Sequence, residues 1–387
     1  MKNLRKFLSY LLVAVLASVT TMAVFVDVPS GSYNKLEDLE NLIEAYFIEE
    51  TDRTAMEDAA AAAMGDSLGD KWSHYMSAEN YLIYREQMNN AYVGIGITIT
   101  VSEDGSGFLV TEVNKGGAAE EAGMIAGDVI LEIEGQTTEG MTTTQARDLV
   151  RGVEGTQVKL VIRRDSERLE LSVTRKTVET PVTDSWLLED GIGLITIYNF
   201  DDRCAKETIA AIENLMEQGA EALIFDVRGN PGGYKDELVE LLDYLLPEGP
   251  LFRTVDYRGK ERVDTSDADC LKMPMAVIMN LESYSASEFF AAALSEYDAA
   301  VTVGEKTFGK GYFQNTYELK DGSAVTLSIG QYYTPEGVSL AGVGLTPDVE
   351  VPLTEEQAVA LASGTLPVEE DPQIQAAIQA VKAEKAT

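Results

Sequence analysis

The spacing of apolar residues changes character several times along the chain. From about Tyr33 to Asn90 they recur every three or four positions, with Leu36, Leu39, Leu42, Ile43 and Tyr46 on one side, which predicts helices. An Ala-rich run at residues 59–64 continues the theme, and Gly65, Gly69 and Asp70-Lys71-Trp72-Ser73 break it. Between residues 92 and about 175 the text becomes strand-like: residues 92–97, 108–113, 129–133 and 158–163 read as β-strands. Short helices at 118–123 and 141–150 and a turn at Gly127-Asp128 separate them. After Gly191 short buried strands at 194–197, 222–227 and 275–279 alternate with helices at 206–218, at 234–246 and from Ser285 to about Tyr297. That alternation predicts an α/β core, so the whole reads as an α+β multidomain chain. The Ala-rich, amphipathic residues 355–387 suit a helix that packs on the body or joins two copies as a homodimer.

The first residues have a different pattern. Lys2, Arg5 and Lys6 precede residues 8–26, nineteen positions without a charge, long enough to span a bilayer as a helix. Basic residues before the run and an acidic chain after it predict a single-pass cell-membrane protein with its body outside the cytoplasm. The absence of a clean small-x-small site near Val26 favours a retained anchor over a cleaved signal peptide, which would leave the body secreted. Removing residues 1–32 leaves 27 basic and 64 acidic residues, so the exported body is more acidic than the chain, whose net charge is -35. Such a polyanion is repelled by phosphate backbones, which excludes bare nucleic acid as a partner.

Composition narrows the chemistry. The single histidine, His74, leaves no material for a multi-histidine metal site, and a Ser-His-Asp hydrolase would need that one ring. It reads as a packed or surface residue. Cys204 and Cys270 lack metal-ligand spacing and are too few for a disulfide scaffold. Three segments could carry chemistry. Ser285, between a buried strand and a helix, can be displayed where helix dipole and free amides favour developing negative charge, although Ser285-x-x-Glu288 is also a capping box. Residues 304–311, GEKTFGKG, approach a phosphate-binding loop, but Gly311 stands where a Mg²⁺-binding hydroxyl is needed and no helix follows. Lys310 there lies between glycines and near Phe308 and Tyr312, which could desolvate its amine and turn it into a base. The loop Arg228-Gly229-Asn230-Pro231-Gly232-Gly233 could offer backbone amides to an oxyanion, or simply be a βα turn.

Two resemblances follow from these motifs. Residues 92–175, with Gly94, Ile95, Gly96 and Ile97 at the carboxylate-binding loop and EAGMIAGDVILEIEG after it, resemble a circularly permuted PDZ domain. Its glycines would form a nest of N–H groups for a peptide C-terminus, and the next strand would pair with the tail. The stretches LGDKWSHYM, FDVRGNPGG, SYSASE, GEKTFGKGYFQ, YYTPEG and GVGLTPDVEV, in that order, resemble the C-terminal processing peptidases, Ser-Lys endopeptidases with an inserted PDZ domain and a ClpP/crotonase-like core.

That resemblance implies Ser285 as nucleophile, Lys310 as general base, Gln314 as the residue that orients the lysine, and Ala286 with Gly232 as the oxyanion hole. It implies a regulatory role for Arg151 in coupling peptide binding to the active site, substrates with exposed C-terminal tails, and no metal or cofactor. The expected organisation is a membrane segment at 1–32, a helical region at 33–90, a PDZ domain at 91–176, a peptidase core at 177–353 and a helical tail at 354–387. Tyr284 departs from the family's usual alanine beside the nucleophile and keeps open the alternative of a catalytically silent PDZ scaffold. In a plain strand Lys310 and Gln314 would stand about 13 Å apart, so the chain must bend near Gly311 or the side chains must close the gap.

Overall fold

The structure, a computed structural model, describes residues 34–385. The segment read as a membrane anchor, residues 8–26, lies outside these. Among the described residues no helix is long and apolar enough to cross a membrane. The chain divides into two compact units, residues 1–69 and 70–387.

In the first unit the helices Lys35–Tyr46 and Arg53–Asp66 start where the sequence supplies caps. Asn34 accepts the N–H of Leu36, and Asp52 accepts that of Ala55. Arg53 draws them together through Glu40 and Glu44 of the first helix, while pairing with Glu57 on its own.

The second unit is built on three large sheets and a two-stranded ribbon. The first runs Thr183–Leu188, Ile192–Ile197, Ala222–Asp226, Met275–Met279, Ala300–Gly304 and Val349–Glu350; the first pair is antiparallel and the rest parallel. Ala222–Asp226 and Met275–Met279 are buried along their whole length, as unbroken apolar strands in the middle of a parallel sheet should be. The helices Cys204–Glu217, Lys235–Leu245 and Ala286–Glu296 fill one face with Ile212, Leu241, Leu242, Phe289 and Phe290. On the other face Ile374, Ala377 and Val381 of the terminal helix Pro372–Lys385 pack on Ile224, Ala276 and Ile278. The tail is thus a layer of the core.

A second sheet pairs the long strand Ala324–Tyr333 with His74–Met76, Gly249–Asp256 and Tyr312–Glu318, and Gly249–Asp256 in turn with Glu261–Ser266. The third sheet orders Ile97–Val101, Phe108–Val113, Val129–Ile133, Gln157–Arg164 and Glu167–Thr174 around a core of its own. The strand expected over 92–97 breaks in two. Ala91–Gly94 pairs with Lys176–Glu179 in a separate ribbon, and Gly96 adopts φ 71°, a left-handed geometry glycine takes at no steric cost.

One buried ion cluster fastens the terminal layer. Arg228 forks onto Asp226 at 2.6 and 2.9 Å and reaches Asp371 at 2.8 Å and Gln373 at 3.0 Å. Burial works against its charge, and Asp226 and Asp371 outweigh that effect and hold the guanidinium protonated. Removing one partner of such a cluster strands the others in a dry site, so Arg228→Ala is expected to lower stability by about 3–5 kcal/mol. The midpoint of urea unfolding followed by circular dichroism checks this; an unchanged midpoint would refute it.

Candidate active site

Ser285 stands at the N-cap of the buried helix Ala286–Glu296, with φ 62° and ψ -126°. A non-glycine residue in that geometry is strained, and it persists only where its surroundings over-determine it. Here those surroundings are the glycine loop. Buried Asn230 donates through Nδ2 to the Ile197 carbonyl, and its Oδ1 accepts the N–H of Gly232. Its carbonyl takes the N–H of Tyr284 at 3.2 Å and the hydroxyl of Ser287 at 2.8 Å. Gly232 has φ 89°, and a Cβ there would lie 2.7 Å from the Ser285 Cβ and 2.8 Å from the Ala286 nitrogen. Only glycine leaves that amide uncovered.

Glu288, fully buried, gathers four donors. Its Oε1 accepts the Thr307 hydroxyl at 2.5 Å and the Gly309 N–H at 2.6 Å; its Oε2 accepts the N–H of Ser285 at 3.0 Å and of Lys310 at 2.9 Å. Burial raises its pKa, and those hydrogen bonds oppose the shift. Because all four partners donate, the site accommodates it as a carboxylate. Ser285 and Lys310 therefore meet, backbone to backbone, on one oxygen.

Among the described residues the Lys310 side chain has no hydrogen-bond partner. Its Nζ lies 4.3 Å from the centre of the Trp72 ring and 6.0 Å from that of Tyr284, and Phe308 packs against both rings. Burial lowers its pKa to about 8, against the opposing pull of Glu288 and Asp70. The sequence placed Phe308 and Tyr312 around this amine; the rings it faces are Trp72 and Tyr284, and Tyr312 is largely exposed. Trp72 was missed, although it sits in a stretch that carried the resemblance. Tyr284, the departure from the family pattern, forms one wall of the lysine's pocket.

Two other expectations differ from the geometry. Gln314 does not reach Lys310: a bulge between Phe313 and Gln314 turns it, and its Nε2 donates to the Tyr312 carbonyl and to Ser328 Oγ, both at 3.0 Å. The Gly232 N–H is occupied by Asn230, whereas the next amide, that of Gly233, has no partner among the described residues. Gly233, Ser285, Ala286 and Gln314 line a cavity of about 730 Å³, whose apolar wall is Phe252, Phe313, Ile329 and Tyr332; Lys310 does not reach it. In place of Lys310, Ser285 Oγ has the Tyr332 hydroxyl at 3.1 Å. His74 is exposed and lies outside the cavity. No group of three or more His, Cys, Asp or Glu among the described residues could hold a metal ion.

In the third sheet the strand Ile97–Val101 forms an edge, with the helix Thr143–Val150 packed beside it. The carbonyls of Ile95 and Gly96 accept the N–H groups of Ala119 and Asn114, while the amides of Ile95 and Gly96 have no hydrogen-bond partner among the described residues. Gly94 ends the preceding ribbon strand. Arg151, just past the helix, stacks on Tyr92 at 4.5 Å and reaches Glu86 at 3.4 Å, joining this sheet to the helix Ala78–Met88.

Residues 191–351 match peptidase family S41, and residues 109–164 match the PDZ domain. The chain is 31% identical over 367 residues to the carboxy-terminal processing protease CtpA of Bacillus subtilis, covering 92% of this chain and 78% of that one. It is 31% identical to a probable CtpA-like serine protease of Staphylococcus aureus, over 87% of this chain and 68% of the other. A solved Bacteroides fragilis structure assigned to the S41 proteases superposes with a TM-score of 0.51 at 17% identity, covering 92% of this chain and 99% of that one, and shares the fold. With an S41 core, a PDZ module and relatives of this kind along nearly its whole length, the chain belongs to the carboxy-terminal processing serine proteases of peptidase family S41.

Proposed function

We propose that the protein is a membrane-tethered endopeptidase that holds substrate C-terminal tails at its PDZ module and cleaves them with Ser285 and Lys310. The observation that carries this reading is the shared carboxylate of Glu288. It holds a strained serine and a desolvated lysine with a pKa of about 8 on the same oxygen. Neutral Lys310 takes the Ser285 hydroxyl proton as Oγ attacks the scissile carbonyl, and returns it to the leaving amine as the peptide bond breaks. Water then hydrolyses the acyl-enzyme. The oxyanion rests on the Ala286 N–H, at the start of a buried helix, and on the unoccupied N–H of Gly233, with Gly232 clearing the approach. Gln314 acts on the lysine side through Ser328, whose N–H donates to Ser73, itself bonded to Asp70.

The free amides of Ile95 and Gly96 suit a terminal carboxylate, and the open edge of Ile97–Val101 suits the extended residues before it. Arg151 stands where the PDZ module meets the helix before it and would couple the two. The uncharged residues 8–26 would tether the body to the outer side of the membrane.

Incubation with an unstructured protein, followed by fragment analysis, tests the reading. Ser285→Ala and Lys310→Ala are each expected to abolish cleavage, while His74→Ala keeps it. Tail binding without Ser285-dependent fragments would instead establish the silent scaffold. Because the base must be neutral, kcat/KM is expected to rise with pH through a single deprotonation near 8; a profile that falls over that range would overturn the role of Lys310. Gly232→Ala, which forces a Cβ onto the nucleophile and the Ala286 amide, is expected to cost about 10²–10³-fold in kcat, comparable to loss of an oxyanion donor.

A further inference from the structure

The nucleophile's own hydrogen bond runs to Tyr332 and not to its base. Among the described residues Ser285 Oγ has one hydrogen-bond partner, the Tyr332 hydroxyl, and that hydroxyl has no other. Both are buried, and two buried hydroxyls without another protein partner pair, because leaving either one unsatisfied costs about 1–3 kcal/mol. The tyrosine ring cannot turn aside: it packs against Phe289 at 5.1 Å, Phe252 at 5.4 Å and Phe313 at 5.6 Å between ring centres. Its backbone is fixed as well, since the Tyr332 N–H donates to the carbonyl of Gly311, the residue after Lys310. Meanwhile the Lys310 amine rests over Trp72 with no acceptor.

We propose that Tyr332 is a positioning residue that holds the Ser285 hydroxyl in a resting arrangement, turned from Lys310, until a peptide enters the cavity and displaces it. The proposal rests on the Ser-Lys reading. Tyr332 and Ser285 line the same 730 Å³ cavity, so a side chain seated against Phe252 and Phe313 comes between the two hydroxyls. Burial pushes the phenol up to about 12, so it stays a neutral hydroxyl throughout the working pH range. In the proposed arrangement the Ser285 hydroxyl donates to the Tyr332 oxygen, so that the proton Lys310 must take is held by the phenol. Ordinary hydrolysis of small reagents is restrained, while a well-seated substrate is not.

The test uses the full-length protein and an alkyl fluorophosphonate, which bonds Ser285 Oγ to phosphorus and expels fluoride as the base accepts the serine proton. Tyr332→Phe keeps the ring packing and removes the hydroxyl. It is expected to be labelled about 5-fold faster without peptide, the rate equivalent of one hydrogen bond of about 1 kcal/mol. The pH midpoint of labelling should stay near 8, where Lys310 sets it, while the plateau rises. Structural damage produces no such gain. Replacing Tyr332 with 3-fluorotyrosine, a weaker acceptor of nearly the same shape, should also speed labelling, and this arm decides if the phenylalanine variant does not fold. Labelling of the folded Tyr332→Phe variant at or below the wild-type rate removes the latch and leaves the Ser-Lys reading standing. Absence of Ser285-dependent labelling in both proteins removes the two together.

Discussion

The site hangs on one buried carboxylate. Glu288 is the third residue of its helix, where a capping-box glutamate turns back to the N-cap amide, and it does so with Ser285. Two of its four hydrogen bonds reach the backbone of the 307–310 loop and a third its Thr307 hydroxyl, so the cap of one helix also becomes the clasp of a second segment. Capping and the proposed catalytic role are therefore not competing explanations of Ser285-x-x-Glu288: the same geometry that satisfies the helix start brings the backbones of Ser285 and Lys310 to one oxygen. The fold supplies what this requires, a buried helix start just beyond the carboxyl end of a central parallel strand, where backbone donors converge.

The same carboxylate limits the lysine it holds. Burial among Trp72, Tyr284 and Phe308 lowers the amine's pKa, while Glu288 and Asp70 raise it, and the balance falls near neutrality. A drier pocket without Glu288 would lower it further but lose the clasp. The tyrosine at position 284 fits this balance: its ring supplies low-dielectric wall on the lysine side, and its N–H is spent on Asn230, so its bulk does not enter the cavity that Ser285 lines.

Much of this was legible in the chain because each motif is local. Apolar spacing located strands in two of the three large sheets, and the order of motifs assigned the family that the comparisons establish. What failed was tertiary. The lysine's aromatic neighbours were sought beside it, yet Trp72 comes from the other end of the unit, carried in next to the strand His74–Met76 on Ala324–Tyr333. The Gln314 contact failed because a bulge, invisible in the sequence, re-aimed the side chain. The Gly232 amide failed because Asn230, two residues earlier, folds its own side chain back on it, as asparagine does in tight turns. The tyrosine that holds Ser285 lies in a motif that helped assign the family, yet nothing in its spacing announces a partner far back in the chain.

The glycine loop also explains how the PDZ module and the catalytic centre share one framework. Arg151 bonds Glu86, whose other oxygen accepts the N–H of Val93 in the ribbon. At the end of that helix Asn90 exchanges two amide hydrogen bonds with Asn199, and the next residue, Phe200, forms a bridge with Gly233. The Asn90–Asn199 link is made of short polar side chains, which have few alternative arrangements. The run ends on Asp201, whose Oδ1 accepts no hydrogen bond and whose pKa is raised to about 7 by burial, with Glu237 adding to it. A Cβ on Gly233 would fall 2.3 Å from the Phe200 carbonyl carbon and 2.6 Å from that Asp201 oxygen. The amide left free for an oxyanion is therefore fixed from below by the strand end, and the absence of a side chain is what lets the two loops touch.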